Sequence, residues 1–147
     1  MRSMIRFECV LTLLLCLGSI SLSGCGEQQL FDYARVSGTV TLDGNPLPEV
    51  TVIFVPKGDG KSAITGELSA GKTDSEGRFT LKTPSGRKGA KVDTHAVLVV
   101  DEDENPDPNQ KMRKISRVPK RYSEEGTLTF EVSNRGTRSA DFPLVSK

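Results

Sequence analysis

Cys25 is the residue whose neighbours most sharply define its chemistry. It follows Leu22-Ser23-Gly24, a leucine and two small residues. Upstream, Met1–Arg6 carries Arg2 and Arg6, and Val10–Leu17 is an apolar run broken only by Thr12. A basic start, an apolar stretch and small residues before a cut site make a secretory signal. The apolar run falls well short of the roughly 20 residues that span a bilayer. Leu-small-small-Cys at such a site is the bacterial lipobox pattern. The thiol becomes a thioether to diacylglycerol and a peptidase cuts in front of it, which requires small preceding side chains. Acyl chains buried at about 0.8 kcal/mol per CH₂ make a durable anchor. The expectation is a lipoprotein signal peptide over residues 1–24, removed on export, and lipid on Cys25. The competing reading is an ordinary signal cut nearby, leaving Cys25 a stray thiol.

Three other constellations invite a chemical reading. Gly66 to Thr73 satisfies the phosphate-loop string G-x-x-x-x-G-K-[ST]. Such a loop must lead into a helix whose N-terminus meets the phosphate, whereas Thr73 leads into a turn and a strand. Thr73 and Asp74 are better used as turn residues. Asp101, Asp103, Asn105 and Asp107 alternate hard oxygen donors as a calcium loop does. An EF-hand then needs Gly sixth and Glu twelfth; this chain has Pro106 and Met112. A weak calcium site and a solvated loop stiffened by Pro106 and Pro108 both remain open. Lys111, Arg113, Lys114, Arg117, Lys120 and Arg121 form a basic run that could hold an anionic ligand. The acidic block just upstream offers internal pairing instead, and that is the favoured reading. His95, the single histidine, is expected on the outer face of its strand, within reach of Asp93. No nucleophile is marked beside it for a hydrolytic triad, and no second histidine for a zinc site.

Charge and cysteine content narrow the classes. The chain has 20 Lys+Arg and 19 Asp+Glu; without Arg2, Arg6 and Glu8 there are 18 of each. That balance provides no overall field toward nucleic acid or an anionic membrane, and the absence of Trp removes the best stacking side chain. The three cysteines are Cys9, Cys16 and Cys25. Two leave with the signal and one carries lipid, so the mature chain has no disulfide and must rely on apolar packing.

The elements that would position these residues are strands. After a short polar tether over residues 25–33, Val36, Gly38, Val40 and Leu42 alternate with Ser37, Thr39 and Thr41. Asp43-Gly44-Asn45-Pro46 supplies a turn, and Val50–Val55 reads as the second strand of a hairpin. Further strands are expected at 69–72, 78–82 (Phe79 and Leu81 inward), 91–101, 127–132 (Leu128, Phe130 and Val132 inward) and 139–145 (Ala140, Phe142 and Leu144 inward). In the long strand Val92, Ala96, Leu98 and Val100 share one face and Val97 and Val99 the other, the pattern of a central strand. Asn134-Arg135-Gly136 reads as a hairpin turn between the last two, and Gln110–Ile115 as a short helical turn. About seven strands with Gly, Pro and Asn turns predict an all-β fold, a single immunoglobulin-like β-sandwich over residues 34–147.

Those residues resemble the carboxypeptidase regulatory-like domain, a transthyretin-like (prealbumin-like) sandwich. Its opening string is matched by Val36, Gly38, Val40, Gly44, Pro46, Leu47, Val50, Val52 and Phe54, and its T-D-x-x-G-x-F turn by Thr73, Asp74, Gly77 and Phe79. A lipobox followed at once by this domain is similar to short planctomycete-type lipoproteins, whose [IV]-P-x-[KR]-Y segment is matched by Val118, Pro119, Arg121 and Tyr122. Lys88 to Val92 keeps the family's Gly and Val before the long strand and lacks its Tyr. The resemblance covers roughly Val36 to Leu144. It implies a non-catalytic module without a cofactor, serving interaction or structure in the cell envelope. Its expected partners are the membrane, through Cys25, and an envelope protein or polysaccharide. A carbohydrate- or calcium-binding module and an accessory subunit of a secreted enzyme are the alternatives.

Overall fold

The computed structural model describes residues 31–58, 65–101, 116–124 and 127–147. The signal peptide, Cys25, the helical turn over 110–115, and Asp103, Asn105, Asp107, Lys111, Arg113 and Lys114 lie outside the described residues. The described chain is an all-β sandwich. Its strands are β1 (Tyr33–Ala34), β2 (Ser37–Leu42), β3 (Asn45–Pro46), β4 (Thr51–Pro56), β5 (Ser69–Lys72), β6 (Arg78–Thr80), β7 (Ala90–Lys91), β8 (Thr94–Val100), β9 (Leu128–Glu131) and β10 (Phe142–Leu144). Seven of these have three or more residues, one for each span read from the sequence, with β4 running one residue past its span to Pro56. The three short ones pair at the margins, and a single 3₁₀ turn covers Lys120–Tyr122. Among the described residues no helix is long and apolar enough to cross a membrane.

One sheet runs β10-β2-β3 with β6 also on β2; the other runs β5-β4-β8-β9. The strands expected as an opening hairpin therefore lie in opposite sheets. Asp43 and Gly44, both at positive φ (50° and 83°), reverse the chain tightly, as an Asp-Gly pair does. The returning strand is only Asn45–Pro46, paired with Leu42 and Thr41. Leu47–Val50 then crosses to the facing sheet. The reason is burial: Val36 and Val40 on one side and Val50, Val52 and Phe54 on the other are all buried. Folding the chain over sets these two apolar faces against each other, whereas a flat hairpin would leave both in need of a third layer.

The last two strands differ from expectation in the same way. The turn at Asn134 and Arg135 is present, closed by Gly136 N–H to the Ser133 carbonyl at 3.0 Å. The chain then leaves β9 and runs parallel to β2, with Phe142 opposite Val40 and Leu144 opposite Leu42. The remaining edge of β2 needs acceptors for its N–H groups. Ser37 N donates to the Thr137 carbonyl at 3.0 Å, and the Asp141 carboxylate accepts from both Thr39 N (2.9 Å) and Thr39 Oγ1 (2.6 Å).

The inward residues expected for the strands at 78–82 and 139–145 are buried, and Leu128 and Phe130 pack partly buried against the core. Phe142 lies at the centre. Its ring centroid is 6.0 Å from Phe54, 6.1 Å from Phe79 and 6.1 Å from Phe130, so one ring joins both sheets by edge and offset contacts. β8 is central in its sheet, between β4 and β9, as apolar residues on both its faces predict.

Candidate functional site

Each described residue singled out for chemistry has a definite place in this frame, and the positions differ from the sequence reading at several points. The phosphate-loop string folds into β5 and its exit. Lys72 pairs with Glu49 at 2.8 Å. Thr73 is buried, and its hydroxyl donates to the Leu47 carbonyl at 2.8 Å while accepting from Val50 N–H at 3.0 Å. It latches the crossing segment rather than merely turning the chain. Asp74 is the turn residue: one carboxylate oxygen accepts from Glu76 N and Arg78 N, both at 2.9 Å.

His95 is a correction. It is fully buried (0 % exposed) and faces inward with Val97 and Val99. Its ring sits 5.5 Å from Phe54. The partner on Asp93 is the backbone carbonyl, 3.0 Å from Nδ1, because the Asp93 carboxylate is held by Lys91 at 2.8 Å. A carbonyl only accepts, so Nδ1 carries the proton. Nε2 is then a buried lone pair with no partner among the described residues. Burial pushes the imidazole below its ordinary pKa, against the raising effect of Asp93. As pH falls through about 6.5, the unfolded chain therefore takes up a proton that the folded chain refuses. Stability then falls by up to about 1.4 kcal/mol per unit until the folded pKa is reached. Wild-type melting temperature is expected to drop between pH 7 and 5, and His95→Leu is expected to flatten that window. The lowered carboxylates Asp43, Glu67 and Asp93 lose their stabilisation only at lower pH. A wild-type melting temperature constant from pH 7 to 5 would contradict this assignment.

Asp101 and Arg117 join two constellations that stand apart in the sequence. The Asp101 side chain is 1 % exposed, and Arg117 Nη2 lies 2.8 Å from its Oδ1. Arg117 Nε and its backbone N donate to Oδ2 at 2.9 and 2.8 Å, and Nη2 also reaches the Pro48 carbonyl at 2.9 Å. The first calcium candidate is thus bound to a member of the basic run, the internal pairing that the charge pattern favours. Lys120 pairs with Glu124 at 3.2 Å on the surface. Arg121 stacks its guanidinium 4.7 Å from the Tyr122 ring centre and donates to the carbonyls of Val145 and Lys147. These three cations serve local structure and do not converge on one point.

A different cationic feature does converge. A half-open groove of about 810 Å³ lies along the outer margin of β2 and is lined by Arg35, Lys82, Lys88, Arg135 and Arg138 among others. All five are exposed, and no carboxylate lines the groove among the described residues. Its walls come from the entry to β2, the strand end after β6, the segment before β7 and the turn after β9. Sequence reading missed it because no two of the five are adjacent in the chain. The only available signal was register: Lys82 and Lys88 face each other across an antiparallel bridge. No family model, curated protein or solved structure matches the chain.

Proposed function

We propose that this chain is a lipoprotein anchored through diacylglycerol on Cys25. Its carboxypeptidase regulatory-like sandwich would serve as a non-catalytic interaction module of the cell envelope. The observation that carries the reading is Leu22-Ser23-Gly24-Cys25 immediately after a basic and apolar leader. Two structural facts support it. The sandwich begins within a few residues of Cys25: Tyr33 and Ala34 already pair with Lys91 and Ala90. The chain's single imidazole is sealed in the core, out of reach of any substrate. Gly26 follows the lipidated position, where an Asp would retain the protein at the inner membrane of some bacteria. The outer membrane is therefore the favoured site in a cell with two membranes.

The alternative calcium module is disfavoured by a specific contact, since both oxygens of Asp101 accept from Arg117. The anchoring test is partition between detergent and aqueous phases. Wild type is expected in the detergent phase and Cys25→Ser in the aqueous phase; unchanged partition would overturn the anchor.

A further inference from the structure

We propose that the groove lined by Arg35, Lys82, Lys88, Arg135 and Arg138 binds the phosphates of anionic lipid headgroups, setting the anchored sandwich down on the membrane by one face. The inference rests on the lipid-anchor reading for its choice of ligand. The groove itself stands on independent geometry.

Three observations carry it. First, the charge is uncompensated among the described residues. Five exposed cations line one groove without a carboxylate, and none of their side chains has a hydrogen-bond or ion-pair partner among the described residues. Elsewhere the chain does pair such groups, as Lys72 with Glu49 and Lys91 with Asp93 show. Second, Lys82 and Lys88 are directly opposite across a bridge. Like charges in that position destabilise a sheet, and an anion between them reverses the sign of the interaction. The strand framework keeps them there: Leu81 N donates to the Val36 carbonyl at 3.0 Å, and Thr137 N to the Arg35 carbonyl at 2.8 Å. The groove's cations therefore stand on ordered backbone. Third, the groove adjoins the point where the chain enters the sandwich. Arg35 directly follows β1 and stands ten positions after Cys25. At about 3.5 Å per residue even a fully extended chain holds Arg35 within about 35 Å of the lipid. The anchor alone leaves the domain free to turn, and a basic patch beside it selects the face that meets an anionic surface. Phosphate suits the arrangement, because Arg takes it with paired N–H groups and Lys as a point charge.

The test uses the full chain reconstituted in phosphatidylcholine vesicles and in vesicles containing phosphatidylglycerol. Lysine acetylation rates are read residue by residue by mass spectrometry. Lys82 and Lys88 are expected to react about fivefold more slowly on the anionic vesicles, while exposed Lys57 and Lys147 change by less than about twofold. The protection is expected to vanish in 0.5 M salt, where screening shortens to about 4 Å, and in Arg135→Glu/Arg138→Glu with an unchanged melting temperature. Equal rates on both vesicles overturn the groove proposal. If soluble dextran sulfate slows both lysines and anionic vesicles do not, the ligand is a soluble polyanion and the lipid proposal falls. The anchor is read separately, from the lipid mass on the Cys25 peptide. Lipid without protection rejects the groove alone, and protection without lipid rejects the anchor alone.

Discussion

Gly38→Ala is expected to cost about 4 kcal/mol or more and to leave little folded protein at 37 °C. A Cβ at position 38 would stand 2.0 Å from the Ala140 carbonyl oxygen and 2.4 Å from its carbonyl carbon. Both obstacles are backbone, so no rotamer change relieves the clash, and overpacking against a fixed core is among the few mechanisms that reach this size. The approach is that close because the segment before β10 lies directly over β2, where Ala140 N donates to the Ser37 carbonyl at 3.1 Å. Denaturant unfolding measures the loss. A midpoint unchanged within error would mean that the C-terminal segment does not run beside β2, and the parallel pairing would be wrong.

The same region shows what the sequence does and does not disclose. Alternation disclosed which residues turn inward: Val36, Val40, Val52, Phe54, Phe79, Leu81, Phe142 and Leu144 are all buried as their parity requires. It did not disclose which sheet each strand joins. Asp43-Gly44 and Asn134-Arg135-Gly136 are sound turns, yet a turn constrains only a few residues. The path of the chain beyond each turn depends on which apolar faces must meet, a long-range question. His95 failed for a related reason. Val92, Ala96, Leu98 and Val100 outnumber Val97 and Val99, so a count of apolar side chains points to the wrong face. A central strand has both edges paired but still turns one face outward, where Thr94 is exposed and Leu98 and Val100 are half-buried. His95, Val97 and Val99 face the core, with Phe54 against His95. The cationic groove was still less legible, since its members meet only after four separate segments fold together.

The second large effect is expected at Arg117. Replacing it with Met removes three side-chain hydrogen bonds, two of them to the Asp101 carboxylate, whose side chain is 1 % exposed. Removing the guanidinium leaves the buried Asp101 carboxylate without that cation while the Arg117 backbone N–H still donates to it, and about 3 kcal/mol is the expected cost. For a domain of this size that is a fall in melting temperature of about 10 °C. Arg117 itself is 36 % exposed, so water compensates part of its own loss and the penalty falls mainly on Asp101. The double variant Asp101→Asn/Arg117→Met is accordingly expected to recover part of the stability, giving a favourable coupling between the two sites. Equal destabilisation in single and double variants would mean that Arg117 acts through packing alone. The pair also matters for organisation, because Asp101 and Arg117 bracket the acidic and basic segment between them and fasten both of its ends beside Pro48.

The proposed anchor, Cys25, stands six positions before the first described residue of the sandwich. The proposed location in the cell depends on Cys25. The intact mass of the mature protein, extracted from membranes with detergent, tests it most directly. The expected species is a chain beginning at residue 25, carrying diacylglycerol on the Cys25 sulfur and lacking residues 1–24. A chain that begins elsewhere, or one whose Cys25 reacts as a free thiol, would contradict the lipid anchor.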